Sequence, residues 1–205
     1  MVLTTESPKA KNKAKTKKIP DYLIYEMSKG KPIYYKGYRD VLAGTKTKEE
    51  IIGDSKLQSW LKTKLAAILM TILESKGYEI FVGELGIKME EKGWRAADCA
   101  IFKIEDIVLD KKYAHETPEI IIEIDVQADT KNFSDDMKYI REKLDEYFGK
   151  GVKKVIWIFT ESETVVTAVE PGKWIVKNWD QDVEIMPEVF FNIVKLLEQR
   201  RTQIS

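Results

Sequence analysis

The hydrophobic positions of this chain change their period several times, and each change marks an element. Leu57, Trp60, Leu61, Leu65, Ile68, Leu69, Ile72 and Leu73 recur at helical spacing. Asp54 or Ser55 can cap that helix and Gly77 can stop it. The pattern then predicts an antiparallel pair, with arms Tyr78 to Met89 and Trp94 to Ile104 around a turn at Glu90 to Gly93. Between Glu119 and Gln127 the alternation is strict: Ile120, Ile122, Ile124 and Val126 share one face of a strand. Ser134 can cap a second helix, with Asp135 and Asp136 in its first turn; it runs to about Phe148 and ends at Gly149 or Gly151. Val155 to Phe159 reads as a buried strand. Residues 119 to 159 therefore form a strand–helix–strand crossover with parallel strands. Two short strands follow, Thr164 to Val169 and Trp174 to Lys177, joined by a turn at Pro171-Gly172. A last helix is predicted to start at Pro187. Residues 20–53, rich in Tyr and Gly, read as short strands or loops packed on the body. There is no internal repeat, and the architecture is α/β, a mixed sheet with helices on its faces.

Charge divides the chain into a tail and a body. Residues 1–19 hold six of the 34 basic residues and one of the 34 acidic ones. They read as a disordered basic tail before a single, mildly acidic domain over residues 20–205. The tail is a solubilising segment or an arm that attracts nucleic acid. Cys99 and His115 are the only residues of their types, which excludes an intrachain disulfide and zinc sites built on Cys and His pairs. No apolar run is long enough to span a membrane and no signal peptide is evident, so the expected location is the cytoplasm.

Carboxylates supply the candidate chemistry. Glu119, Glu123, Asp125 and Gln127 share the second strand face with Ile121. Charges on a strand that enters a buried crossover need a partner, and a divalent ion is one. Asp98 lies on the preceding strand among Ala96, Ala97 and Ala100, small residues that leave room around it. Two carboxylates on adjacent strands can cradle Mg²⁺, which prefers oxygen ligands. Lys143 sits at the edge of the apolar face formed by Met137, Ile140, Leu144, Tyr147 and Phe148, from where it could reach such a site. The alternatives are structural. Asp98 could pair with Arg95 or a lysine, Glu123 and Asp125 could face solvent, and Lys143 could be a solvated flank.

Together these residues resemble the Uma-two family of restriction-endonuclease-like proteins, within the PD-(D/E)XK nuclease superfamily. The resemblance rests on Ala97-Asp98, Glu123-Ile124-Asp125, Lys143 with Tyr147, Gly151-Val152 and Val155 to Ile158, with Tyr25 to Gly30 as an opening hairpin. It implies a restriction-endonuclease-like mixed β-sheet flanked by helices and Mg²⁺- or Mn²⁺-dependent hydrolysis of DNA. It implies Asp98 and Glu123 as metal ligands, Lys143 as the catalytic lysine and Glu84 as an accessory acid; Asp125 is either a further accessory ligand or a surface acid. A homodimer would suit cleavage of both strands, a state that no residue pattern here specifies. Three departures stand out. Ala97 replaces the proline before the aspartate, Asp125 replaces the lysine of the E-x-K version, and no His stands near the start of the first long helix. They keep open a catalytically inactive member of the fold, acting as a DNA-binding or protein-interaction module. No Gly-rich phosphate loop supports a small-molecule hydrolase or transferase.

Overall fold

The computed structural model describes residues 18–90 and 92–202. The basic tail expected over residues 1–19 falls almost wholly outside the described residues. In chain order the elements are β1 (Ile24–Ser28), β2 (Lys31–Tyr34), α1 (Tyr38–Leu42), α2 (Glu49–Ile52), α3 (Lys56–Glu74), β3 (Tyr78–Lys88) and β4 (Trp94–Lys103). They continue with β5 (Ile120–Ile124), α4 (Asp136–Lys150), β6 (Lys154–Phe159), β7 (Thr164–Glu170), β8 (Lys173–Asn178), β9 (Val183–Met186), β10 (Val189–Phe191) and α5 (Ile193–Thr202). Among the described residues no helix is long and apolar enough to cross a membrane.

One large sheet runs in the order β2-β1-β4-β5-β6-β7-β8, with β3 also paired along β4. The β5–β6 pair is parallel, because α4 carries the chain back across the sheet between them. The other pairs are antiparallel, so the sheet is mixed, as the alternating pattern predicts.

Each face of the sheet carries a helix. Leu61, Leu65, Leu69 and Leu73 of α3, four residues apart, are buried against Cys99, Ile101, Ile122, Ile124, Ile156 and Ile158. Ser55 starts that helix with a capping box: its Oγ accepts from the Gln58 N–H, and the Gln58 side chain accepts from the Ser55 N–H. On the opposite face Tyr139, Ile140, Leu144 and Tyr147 of α4 pack with Ala100, Phe102, Ile121, Val155 and Trp157.

Three expectations need correction. The last helix does not start at Pro187. Pro187 and Glu188 form the turn of the β9–β10 hairpin, with Glu188 at φ 67°, and α5 begins at Ile193. Val183, Ile185, Val189 and Phe191 are buried beside the α3 leucines, so period-two burial wins over the helix-start preference of proline. Asp135 rather than Ser134 caps α4, its Oδ1 accepting from the Lys138 N–H at 2.8 Å, which leaves only Asp136 as an acid in the first turn. Finally, β5 stops at Ile124. Asp125 takes a left-handed φ of 58°, so the alternation read to Gln127 does not continue as strand.

Candidate functional site

The site begins where β4 and β5 lie side by side. Cys99 pairs with Ile122, so the antiparallel register sets Asp98 opposite Glu123. Both carboxylates are buried. Asp98 Oδ2 accepts the Ile124 N–H at 2.7 Å, which fixes the carboxylate against the end of β5. Its Oδ1 lies 2.7 Å from the Lys62 ammonium, which arrives from α3. Glu123 Oε1 accepts the Tyr147 hydroxyl at 2.7 Å and lies 2.9 Å from Lys143 Nζ. Both of these partners fall on Oε1 and leave Oε2 unengaged by them.

Lys143 is not at an edge, as its helical position implies, but is 1% exposed. Its Nζ donates to the Ala96 carbonyl at 2.9 Å and is ion-paired with Glu123 at 2.9 Å and Glu26 at 2.8 Å. Three oxygens match the three protons of an ammonium. The rings of Tyr25, Tyr139, Tyr147 and Trp157 surround it, each centroid 5.6 to 5.9 Å away. Behind it Glu26 accepts from Arg95 at 2.7 Å, from Tyr139 at 2.8 Å and from the Ala96 N–H at 3.1 Å. Arg95 also donates to Glu146 at 2.8 Å, so it serves Glu26 and Glu146 and is not the partner of Asp98.

Burial and charge set the protonation states. Burial pushes the Glu123 carboxyl up to about 7; the Lys143 charge opposes it, and the Asp98 and Glu26 carboxylates add to it. For Glu26 burial acts in the same upward sense, but Lys143 and Arg95 outweigh it and hold its carboxyl below the usual value. Burial disfavours the charge on Lys143, yet Glu123 and Glu26 outweigh burial and keep it firmly protonated.

Glu84 is positioned by a bulge in β3 between Val82 and Leu85. Its Oε2 accepts the Tyr35 hydroxyl at 3.1 Å, and burial raises its carboxyl. The charges of Lys62, Asp98 and Asp54 act on it, so it borders the same cluster. Asp125 does not join the cluster. Its oxygens accept from the Thr160 N–H and hydroxyl, both at 2.7 Å, and from Gln58 Nε2 at 2.9 Å, which ties the end of β5 to β6 and α3.

Reading the sequence for ligands passes over two residues that belong to the site, Glu26 and Lys62. Lys62 carries a local sign of its position: it stands three residues before Leu65 and seven before Leu69, on the buried stripe of α3, where a solvated lysine is out of place. Glu26 has no such sign, because its partners come from β4 and α4.

The donor set is chemically suited to a hard divalent ion: two carboxylates on adjacent strands, with Glu84 nearby, and no nitrogen or sulfur ligand. Among the described residues no three His, Cys, Asp or Glu side chains converge as a ready ligand cluster. Lys62 and Lys143 neutralise Asp98 and Glu123 instead.

Comparison with known proteins gives a family and a fold. A family model named Uma2 and described as "Putative restriction endonuclease" matches residues 49–195. Among solved structures, the chain is similar to one titled as a putative nuclease belonging to DUF820, from Anabaena variabilis. The TM-score is 0.62 and the identity 16%, over 84% of this chain and 89% of that one. At that identity the likeness shows the fold. No curated protein matches the chain.

Proposed function

Since the chain belongs to the Uma2 family of restriction-endonuclease-like proteins, we propose that it is a Mg²⁺- or Mn²⁺-dependent endonuclease that hydrolyses phosphodiester bonds in DNA. The observation that carries this reading is the pairing of Asp98 and Glu123 across β4 and β5, both buried and each with a lysine at 2.7 to 2.9 Å. Asp98 Oδ1 and Glu123 Oε2 would hold the ion, with Glu84 as an outlying acid. A divalent ion bound there supplies an acidified water and neutralises charge developing on the phosphate.

The chain's own residues prepare that position. The Ile124 N–H orients Asp98. Tyr147 and Lys143 hold Glu123 by Oε1. Lys143 is a positioning residue in this reading, because its ammonium already faces three oxygens and is enclosed by four rings. Glu26 and Arg95 in turn keep Lys143 in place and charged. Burial of these groups excludes bulk water, which strengthens each charge–charge interaction.

A second reading, a non-catalytic DNA-binding or protein-interaction module, draws on the same ion pairs, since Lys62 and Lys143 satisfy both carboxylates without a metal. One experiment separates the two. Mg²⁺ and Mn²⁺ are titrated calorimetrically into wild type, Asp98→Asn and Lys143→Met, and each is incubated with supercoiled and single-stranded DNA. Metal binding and nicking in wild type, both lost in Asp98→Asn, support the nuclease. Lys143→Met should weaken metal binding as well as turnover, because Glu123 is no longer held. Absence of heat and of nicking in wild type would assign the chain to the non-catalytic reading.

A further inference from the structure

Lys62 stands against the Asp98 oxygen that the proposed site would offer to a metal. Its side chain is buried, and its Nζ lies 2.7 Å from Asp98 Oδ1, the oxygen of that carboxylate not taken by the Ile124 N–H. The same Nζ donates to both oxygens of Asp54, at 2.9 and 2.8 Å. Asp54 differs from Asp98 in one respect: its side chain is 28% exposed, against 4%. The two lysines of the site therefore differ. Lys143 is locked between two buried carboxylates and a carbonyl. Lys62 is shared between a buried acid and a partly solvated one at the helix entrance. Moving off Asp98 leaves it paired with Asp54, so its charge is never stranded.

We infer that Lys62 is an exchangeable internal cation, which holds Asp98 Oδ1 in the metal-free protein and yields it to a divalent ion by withdrawing onto Asp54. This rests on the metal-binding reading of Asp98 given above. The chemistry is a competition of two cations for one oxygen. An ammonium and a divalent ion cannot both sit within 3 Å of Asp98 Oδ1 without strong repulsion, because like charges at that distance in a buried site cost several kcal/mol. Lys62 thus weakens metal binding while preventing an unpaired buried carboxylate when metal is absent. Withdrawn onto Asp54, it remains beside the site as a positive charge available to a phosphate.

The test is Mn²⁺ calorimetry on the full chain, metal alone, for wild type, Lys62→Met, Asp54→Asn and the double variant. Thermal unfolding with and without Mn²⁺ runs alongside. Lys62→Met should bind Mn²⁺ about tenfold more tightly than wild type. It should also be less stable without metal and gain more from it. Asp54→Asn should bind several-fold more weakly, since Lys62 loses its second partner. In the Lys62→Met background the same change should have no effect, because Asp54 acts through Lys62. Unchanged or weaker binding in Lys62→Met overturns the inference, as does a full Asp54→Asn effect in that background. The outcomes also separate this inference from the nuclease reading. Metal binding by Lys62→Met alone, with no cleavage by wild type, keeps the inference and removes the nuclease. Cleavage by wild type with unaltered metal affinity in Lys62→Met does the reverse. No binding by any variant removes both. Should Lys62→Met fail to fold, Lys62→Gln keeps a donor to Asp98 without the charge and carries the same expectations.

Discussion

Lys143 Nζ lies 2.9 Å from Glu123 Oε1 at the centre of a buried network that joins β1, β4, β5 and α4. Removing the lysine leaves two buried carboxylates, Glu123 and Glu26, without their shared cation. Breaking a buried pair from one side costs about 3–5 kcal/mol. Lys143→Met should therefore lose stability of that order in urea unfolding. The double variant Lys143→Met/Glu123→Gln should recover a measurable part of it, because one stranded charge is gone. Additive losses would show that the two groups do not interact.

The raised carboxyl of Glu123 gives the metal-free protein a pH dependence of defined sign. Burial lifts this group from 4.5 in the unfolded chain to about 7 in the fold. The folded state then binds the proton more tightly, so the stability contributed by Glu123 is fully present below 4.5 and is lost as pH rises through 7. Over that window the loss is on the order of 3 kcal/mol. Glu123→Gln cannot titrate, so it should lack this loss. Urea unfolding of both proteins at pH 5 and pH 8, in chelator, should show wild type declining relative to Glu123→Gln. Parallel behaviour would mean that Glu123 is ionised throughout.

Asp125 distinguishes an accessory ligand from a structural acid. Its carboxylate holds Thr160 and Gln58, and its backbone is left-handed at φ 58°. Asp125→Ala should lose roughly 1–3 kcal/mol in thermal or urea unfolding, from three lost hydrogen bonds and a disfavoured conformation. Metal affinity measured below the melting range should stay within a factor of about two, a change of less than 0.5 kcal/mol. A tenfold loss of affinity would make Asp125 a ligand.

The buried leucine stripe of α3 carries the floor under β4 and β5. Leu69 is 1% exposed, and Leu69→Ala should cost about 2–5 kcal/mol by lost burial and a residual cavity. Ser55→Ala removes the capping box at the start of the same helix and should cost about 1 kcal/mol. Both are read by urea unfolding, and the order of the two effects tests whether packing rather than capping holds α3 on the sheet.

What the sequence determined by itself was whatever depends on neighbours close along the chain. The period-four leucines of α3, the alternating isoleucines of β5 and the β7–β8 turn at Pro171-Gly172 are legible because backbone geometry repeats over a few residues. The same local logic brought out Asp98 and Glu123, acids set among apolar strand residues, but put Lys143 only at the edge of the apolar face of α4, where the structure buries it. It failed where tertiary packing overrides a local preference, as at Pro187, where the buried positions of β9 and β10 prevail over a favoured helix start. It failed too where partners are distant. Glu26 meets Lys143 from 117 residues away, and Lys62 meets Asp98 from 36. Only the fold decides such contacts, since an ion pair needs a distance of about 3 Å and nothing along the chain encodes it. The charge of each acid was readable in one dimension. Which cation answers it was decided by the enclosure that the sheet and its two helices build around it.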